Sequence, residues 1–148
     1  MKIAFVRHGA KRKCENDPEL TSLGHNMALK TGQWLHSQFE STPLLISTAT
    51  NRTIQTAQDI AEVLGVNGDI LKQKIPADWK KFQIYVNECI KNNNNLCIII
   101  VGHHPTMEML IAKFHLPIPR HHFSSAVILE MENKKWICTQ YWIGQADF

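Results

Sequence analysis

The sequence predicts an α/β protein built as a three-layer α/β/α sandwich with a mostly parallel central sheet. Short apolar runs alternate with longer segments of helical periodicity, in the order strand, helix, strand, helix, helix, strand, helix. The most hydrophobic run, residues 96–101, is apolar at every position, as expected of a parallel strand covered on both faces. The 148 residues are enough for a substantial core, and we expect one domain over residues 1–148.

The first half of the chain contains two predicted strand–helix pairs. The four elements are a strand at 3–6, a helix at about 22–39, a strand at 43–46 and a helix that ends near residue 64. Thr21 is a good N-cap for the first helix, and the charged segment 10–20 before it is typical of a loop. Gly65 is a natural stop for the second helix, because glycine adopts the left-handed conformation that ends many helices.

The second half adds two helices and three or four strands. Asp78 fits the N-cap of a third helix, and the asparagine run 92–95 is expected to break that helix as a turn. Pro105 suits the first position of a fourth helix. The remaining predicted elements are a possible short strand at 70–71, the strand at 96–101, and a hairpin of strands at 126–131 and 136–141 joined by 132–135.

Polar side chains follow three of the predicted strands at the point where each strand ends. Arg7, His8 and Gly9 follow the first strand, Arg52 lies in the first turn of the second helix, and His103 follows the 96–101 run. With right-handed crossovers, these strand ends meet at one edge of the sheet, where open α/β sheets bind ligands. An arginine at a helix N-terminus makes sense if both face a bound anion. The pattern therefore predicts a site for a phosphate-like group.

Composition and charge argue against several classes of function. The net charge of +3 and the pI near 8.7 are too mild to indicate a nucleic-acid partner. No apolar run approaches membrane-spanning length, and the N-terminus lacks the apolar region of a signal peptide. The four cysteines are widely scattered, which favours thiols in a reducing cytoplasm over a zinc site. The basic clusters at 11–13 and 120–122 are either solvated loops or an electropositive rim that attracts an anionic substrate.

The blocks around these residues resemble the histidine phosphatase superfamily, also called the phosphoglycerate mutase-like superfamily. The matching motifs, in chain order, are Arg7-His8-Gly9, Leu20-Thr21-x-x-Gly24, Ser47-x-x-x-x-Arg52-x-x-x-Thr56-Ala57 and Val101-Gly102-His103. The short chain, the lack of a large insertion before His103 and the segment 123–126 are similar to the small SixA-type phosphohistidine phosphatases. The resemblance implies a phosphoglycerate mutase-like fold.

The resemblance also implies a mechanism. His8 would be the nucleophile and would become a phosphohistidine intermediate. The groups that bind the substrate would be Arg7, Arg52 and His103 on the phosphoryl oxygens, with Gly9 and His104 as further contacts. Two guanidiniums and an imidazole supply the positive charge that phosphoryl transfer needs, so we expect neither a metal nor a cofactor. The sequence contains two pairs of adjacent histidines, His103-His104 and His121-His122. Adjacent histidines rarely ligate one metal ion, and no carboxylate cluster accompanies these pairs.

The chain departs from the family pattern at three places. Met27 stands where relatives usually carry glutamine, and His104 stands where they often carry asparagine, so His104 is either a substrate contact or a helix-capping or exposed residue. The glutamate that protonates the leaving group in larger relatives lies in a segment that is short here. The candidate acids are Asp78, which fits an N-cap equally well, and Asp69 and Glu88. An acid-poor site favours cleavage of an N–P bond, because a leaving imidazole takes a proton from water near neutral pH.

These observations favour a cytoplasmic phosphohistidine phosphatase that dephosphorylates a phosphorelay or phosphotransfer protein. The alternative on the same fold is a phosphomonoesterase for a small phosphate ester. A non-catalytic phosphate-binding module is a third hypothesis, although a protein that only bound phosphate would not need the nucleophile. Nucleic acid and membranes are not expected partners.

Overall fold

The computed structural model of the protein describes residues 1–13, 16–66, 69–93, 97–119 and 122–144. Its strands are β1 (Lys2–Arg7), β2 (Leu44–Ser47), β3 (Leu71–Lys72), β4 (Cys97–Gly102), β5 (Ala126–Glu132) and β6 (Lys135–Trp142). Its helices are α1 (Ser22–His36), α2 (Asn51–Leu64), α3 (Trp79–Asn93) and α4 (His104–Phe114). The predicted α/β class is confirmed, and β2 and β3 each lie one residue later than predicted.

The strands form one six-stranded sheet in the order β3-β2-β4-β1-β5-β6. Strands β3, β2, β4 and β1 are parallel, whereas β5 runs antiparallel to β1, and β6 runs antiparallel to β5. Arg7 at the end of β1 pairs with Gly102 at the end of β4, and Ser47 at the end of β2 pairs with Val101. The carboxyl ends of β1, β2 and β4 therefore meet at one edge of the sheet.

The two faces of the sheet bury separate apolar clusters, which explains why β4 is apolar at consecutive positions. Ile98 and Ile100 belong to the cluster shared with α3 and α4, and Ile99 and Val101 belong to the cluster shared with α1 and α2. All four side chains are 0% exposed. Burying each of them stabilises the fold by about 1.5–3 kcal/mol, so β4 anchors both layers of helices. The predicted mostly parallel, three-layer arrangement is confirmed.

Helix α1 has the predicted start and an earlier end. The Thr21 hydroxyl caps it by accepting from Gly24 N–H at 3.0 Å. The helix ends at His36 rather than near residue 39, since Ser37 N–H turns back to carbonyl oxygens of the last turn. Lys2 Nζ then donates to Gln38 O at 2.6 Å, which draws the chain towards the sheet. At the end of α2, Gly65 has the predicted left-handed conformation, with a φ of 67°.

Helix α3 ends at Asn93, inside the asparagine run that is predicted to break it, and residues 94–96 lie outside the described ranges. Two other local predictions for the second half are wrong. Helix α4 begins at His104, so Pro105 is its second residue, where a missing N–H is equally harmless. The hairpin closes in a tighter turn than predicted. Asn133 and Lys134 both have positive φ, as a two-residue hairpin turn requires.

Candidate active site

The end of β1 is fixed by backbone hydrogen bonds to both of its neighbours. His8 N–H donates to Gly102 O at 3.1 Å, and Arg7 N–H donates to Ser125 O at 2.9 Å. Ser124 N–H then donates to the His8 carbonyl at 3.0 Å. Arg7 and His8 are therefore held between the end of β4 and the start of β5, and their exposed fractions are only 8% and 4%.

A close backbone approach explains the two glycines of the first motifs. A Cβ on Gly9 would lie 2.5 Å from the Gly24 carbonyl oxygen, and a Cβ on Gly24 would collide with the Ala10 carbonyl. Glycine at both positions lets the loop after β1 pass directly over the first turn of α1. Gly9 N–H donates to Thr56 Oγ1 at 3.1 Å, which ties the same loop to α2.

The His8 imidazole is held in one tautomer. Its Nδ1 lies 2.8 Å from the Gly9 carbonyl oxygen, which can only accept, so Nδ1 carries the proton and Nε2 keeps its lone pair. Burial lowers the pKa of His8 from 6.5 to about 3, against the opposing effect of the Gly9 hydrogen bond. The positive charges of Arg52 and Arg7 lower this pKa further. The ring is therefore neutral at physiological pH, as a nucleophilic histidine must be.

His103, the N-cap of α4, is held in the opposite tautomer. Its Nδ1 lies 3.4 Å from Arg52 Nη2, and because a guanidinium only donates, Nδ1 accepts. Its Nε2 lies 2.8 Å from Thr48 Oγ1. Because the Thr48 hydroxyl donates its hydrogen bond to Thr53 Oγ1 at 2.8 Å, it accepts from His103. Nε2 of His103 is therefore the protonated nitrogen. Burial lowers the pKa of His103, and the charges of Arg52 and Arg7 act in the same direction.

The predicted convergence of polar groups at this edge of the sheet is present. The ring centroids of His8 and His103 lie 5.6 Å apart, and Arg52 reaches His103. Within the described ranges, Arg52 Nε is buried and has no hydrogen-bond partner. A buried donor of this kind costs free energy until an acceptor arrives. Two guanidiniums beside two neutral imidazoles form a positive site that an oxyanion would complete.

Sequence reasoning missed the contacts that hold the site from behind. Phe123 packs against the His8 ring, and its ring centroid lies 4.6 Å from the Arg7 guanidinium carbon. The next residue, Ser124, is fully buried with a φ of 60°. Thr31 Oγ1 donates to Ser124 O at 2.8 Å and accepts from Trp142 Nε1 at 3.1 Å. No local pattern predicts these contacts, since they join residues far apart in the chain.

Two of the predicted functional residues make contacts within their own helices. His104 Nε2 lies 3.1 Å from Glu108 Oε2, one turn further along α4. Asp78 is exposed, and its Oδ2 accepts from Lys81 N–H at 3.1 Å, so it caps α3. The prediction that Asp78 caps the third helix is therefore confirmed. Substrate binding by His104 and acid catalysis by Asp78 stay predictions.

The predicted electropositive rim is described only in part. Residues 11–13 are exposed, and Lys11 forms an isolated antiparallel bridge with Leu20. In the second cluster, His122 Nδ1 lies 3.2 Å from Ile143 O, while residues 120–121 lie outside the described ranges. Across the part of the chain that the structure describes, no group of three or more histidine, cysteine or acidic side chains could hold a metal ion. In that same part, no helix combines the length and the apolar character needed to cross a bilayer.

Comparison with known families decides the classification. The sequence profile of the histidine phosphatase superfamily (branch 1) matches residues 3–83, more than half of the chain. The chain belongs to this superfamily. Membership of this superfamily shows that the protein is a phosphatase with a histidine nucleophile. A search of curated protein sequences finds no match.

Solved structures share the fold of this histidine phosphatase at low sequence identity. The protein histidine phosphatase SixA complexed with tungstate is 16% identical, with a TM-score of 0.77 and 96% of each chain covered. A phosphoserine phosphatase from Entamoeba histolytica with 3-phosphoglyceric acid is 17% identical, with a TM-score of 0.66 and coverage of 95% of this chain and 96% of that one. A mycobacterial glucosyl-3-phosphoglycerate phosphatase is 16% identical, with a TM-score of 0.69 and coverage of 95% and 98%. These likenesses establish the phosphoglycerate mutase-like fold.

Proposed function

We propose that this histidine phosphatase removes the phosphoryl group from a phosphohistidine on another protein, with His8 as the nucleophile. The observation that carries the proposal is the state of the His8 ring, which is buried and neutral with its Nδ1 proton held by Gly9 O. This leaves the Nε2 lone pair for attack, at the one edge of the sheet where Arg7, Arg52 and His103 also gather. A site that only bound phosphate would not need a histidine in that state.

The reaction proceeds in two displacements. In the first, the lone pair of His8 Nε2 forms a bond to phosphorus while the bond between phosphorus and the substrate imidazole nitrogen breaks. The leaving nitrogen takes a proton from water. In the second, a water oxygen attacks the phosphorylated His8, the P–Nε2 bond breaks, and inorganic phosphate leaves. Arg7, Arg52 and His103 bind the three equatorial oxygens, where negative charge is spread in the transition state.

The scarcity of acids supports an N–P rather than an O–P bond as the substrate. Asp78, the predicted acid, is exposed and used as the cap of α3. An alkoxide leaving group needs a strong proton donor, whereas an imidazole is protonated by water near neutral pH. A protein substrate is supported by the short connection between β3 and α3, residues 73–78, which holds no inserted lid. The scattered cysteines of the sequence support a reducing cytoplasm as the location.

A small phosphate ester is the second candidate substrate, and one observation favours it. A pocket of about 480 Å³ opens beside His103 and Thr48, large enough for part of a metabolite. The phosphoserine phosphatase and the glucosyl-3-phosphoglycerate phosphatase that share the fold are named for small phosphate esters.

The test compares phosphate release from a phosphohistidine-bearing protein with release from p-nitrophenyl phosphate, with a chelator present. Wild type and His8→Ala are assayed together, and His36→Ala, an exposed histidine at the end of α1, is the matched control. We expect fast release from phosphohistidine that His8→Ala abolishes and His36→Ala leaves unchanged. Release from the ester alone would favour the phosphomonoesterase. Phosphate binding without turnover of either substrate would favour the binding module.

A further inference from the structure

A pocket adjoins the phosphoryl-binding residues on the side of β3. It has a volume of about 480 Å³, and its lining residues are Thr48, Ala49, Lys72, Gln73, Lys74, Ile75 and His103. Two of these, Thr48 and His103, belong to the hydrogen-bond network of the site itself. A phosphorylated molecule bound at His8 and His103 therefore has room to extend into this pocket.

Two lysines line this pocket at the point where the chain leaves β3. Gln73 N–H donates to Ser47 O at 2.9 Å, which continues the strand pairing by one residue. The Gln73 side chain turns towards α3, where Tyr85 Oη donates to its Oε1 at 2.6 Å. Lys72 and Lys74, on either side of Gln73, also line the pocket. Both lysines are exposed.

The charge of the pocket is positive. Among the described residues that line it, two are lysines and none is acidic. Lys72 also borders a neighbouring groove that contains Glu62 and Asp69, which offsets part of its charge. Lys74 does not line that groove, so we expect it to contribute more. Ala49 and Ile75 supply small and apolar surface between the lysines and His103.

We infer that the substrate carries a second anionic group, a carboxylate or a phosphate, which this pocket binds while the phosphoryl group lies at His8. The inference rests on the proposed function and adds the chemical character of the group attached to the phosphoryl. In a protein substrate the anion would be an acidic side chain beside the phosphohistidine. In a small ester it would be the acid of the metabolite itself. The shared requirement is a negative charge within reach of Lys74 and Lys72.

The experiment uses pairs of probes that differ in one charge. The ester pair is 3-phosphoglycerate and glycerol 3-phosphate, which differ by a carboxylate in place of a hydroxymethyl group. The second pair is a phosphohistidine peptide with either glutamate or glutamine as the next residue. The variants are Lys72→Gln, Lys74→Gln and the double variant, and the control is Lys80→Gln/Lys81→Gln, which removes two exposed charges from α3.

We expect the anionic member of at least one pair to have the higher kcat/KM. The double variant should lower this value roughly fivefold to tenfold, as two exposed charge pairs would, and change the neutral member less than twofold. The Lys80→Gln/Lys81→Gln control should leave the preference intact. A preference in the peptide pair alone points to an acidic side chain of a protein as the source, and one in the ester pair alone points to a metabolite.

Equal values within both pairs, or a preference that survives the double variant, would overturn the inference. Binding of each probe to the His8→Ala variant, measured by calorimetry, gives the same comparison without turnover. If the proposed function is wrong, no probe will show His8-dependent turnover. The calorimetric comparison still shows whether the pocket prefers the anionic member of each pair. The two failures are therefore distinguishable.

Discussion

The ends of β1 and β4 lie side by side, and each is followed by a histidine, yet the two imidazoles are held in opposite tautomers. At the end of β1, the Gly9 carbonyl accepts a hydrogen bond from Nδ1–H of His8. At the end of β4, Thr48 Oγ1 accepts a hydrogen bond from Nε2–H of His103. The same residue type is thus given two roles by the neighbour that accepts its proton.

This difference separates a nucleophile from an anion binder. His8 keeps a lone pair on Nε2, the nitrogen that attacks in the proposed reaction. His103 keeps a lone pair on Nδ1, to which Arg52 Nη2 donates at 3.4 Å. To donate from Nδ1 to a phosphoryl oxygen, His103 must take up a second proton, and the negative charge of the phosphoryl group favours this. The predictions below test this division, beginning with the largest effect.

Replacing the two histidines in turn should give unequal losses. His8→Ala removes the nucleophile, so kcat for phosphohistidine should fall by at least about 10⁴-fold. His103→Gln keeps a hydrogen-bonding side chain beside Arg52 but cannot become charged, and a loss of about 10²–10³ in kcat is expected. Steady-state kinetics with the phosphohistidine-bearing protein measures both. Equal losses would contradict the division of roles.

Removing the acceptor of the His103 proton should have an intermediate effect. Thr48→Val leaves His103 Nε2–H without its partner, and the expected cost of about 1–3 kcal/mol lowers kcat/KM by roughly fivefold to 150-fold. The acid limb of the pH–rate profile should shift, because the tautomer of His103 is no longer fixed. Thr48→Ser keeps the hydroxyl and is the control. A Thr48→Val profile that matches wild type would rule out the positioning role.

The buried neutral state of His8 should make the protein sensitive to acid. The folded-state pKa is about 3 and the unfolded value is 6.5, so between these values only the unfolded chain binds the proton. Stability therefore falls as pH falls through this window, by about 2 kcal/mol from neutrality to pH 5 for this one residue. His8→Gln should remove that part of the loss, whereas His36→Gln should not. Urea unfolding near pH 8 and pH 5 measures the difference, and identical pH dependence for wild type and His8→Gln would refute it.

The smallest effect is expected at Asp78. Asparagine caps helices as well as aspartate does, so Asp78→Asn tests the acid without disturbing α3. For an imidazole leaving group we expect less than a threefold change in kcat. Asp78→Ala, which loses the cap, serves as the comparison in thermal unfolding. If Asp78→Asn loses activity on phosphohistidine as fully as His8→Ala does, the account of an acid-poor site fails.

The sequence predicts the sheet and the convergence of the site because both depend on local patterns. Buried apolar runs mark β1 and β4, and His8 and His103 follow directly after them. The tautomers depend on something else, namely which oxygen lies within hydrogen-bond distance in the folded chain. Thr48 could have been suspected, since it follows a predicted strand. The contact of Thr31 with Ser124 spans 93 positions, and no periodicity indicates it.

The sequence indicates that Gly9 is important but does not show the structural reason for a glycine there. The family resemblance implies Gly9 only as a substrate contact. The structure shows that it is required by contact with the backbone of Gly24, one motif later in the chain. The predicted end of α1 and the predicted start of α4 differ from the structure by one to three residues, because caps and tertiary hydrogen bonds such as that of Lys2 decide where a helix begins and ends.

The most direct test of the account is to trap the phosphorylated enzyme. Rapid quenching after mixing with a phosphohistidine-bearing protein, followed by phosphorus NMR and peptide mapping, identifies the modified nitrogen. The account predicts phosphate on Nε2 of His8 and none in the His8→Ala variant. In a variant that hydrolyses the phosphorylated His8 more slowly, the phosphorylated enzyme should accumulate. Phosphate on Nδ1 of His8, phosphate on His103, or turnover with no phosphorylated histidine would contradict it.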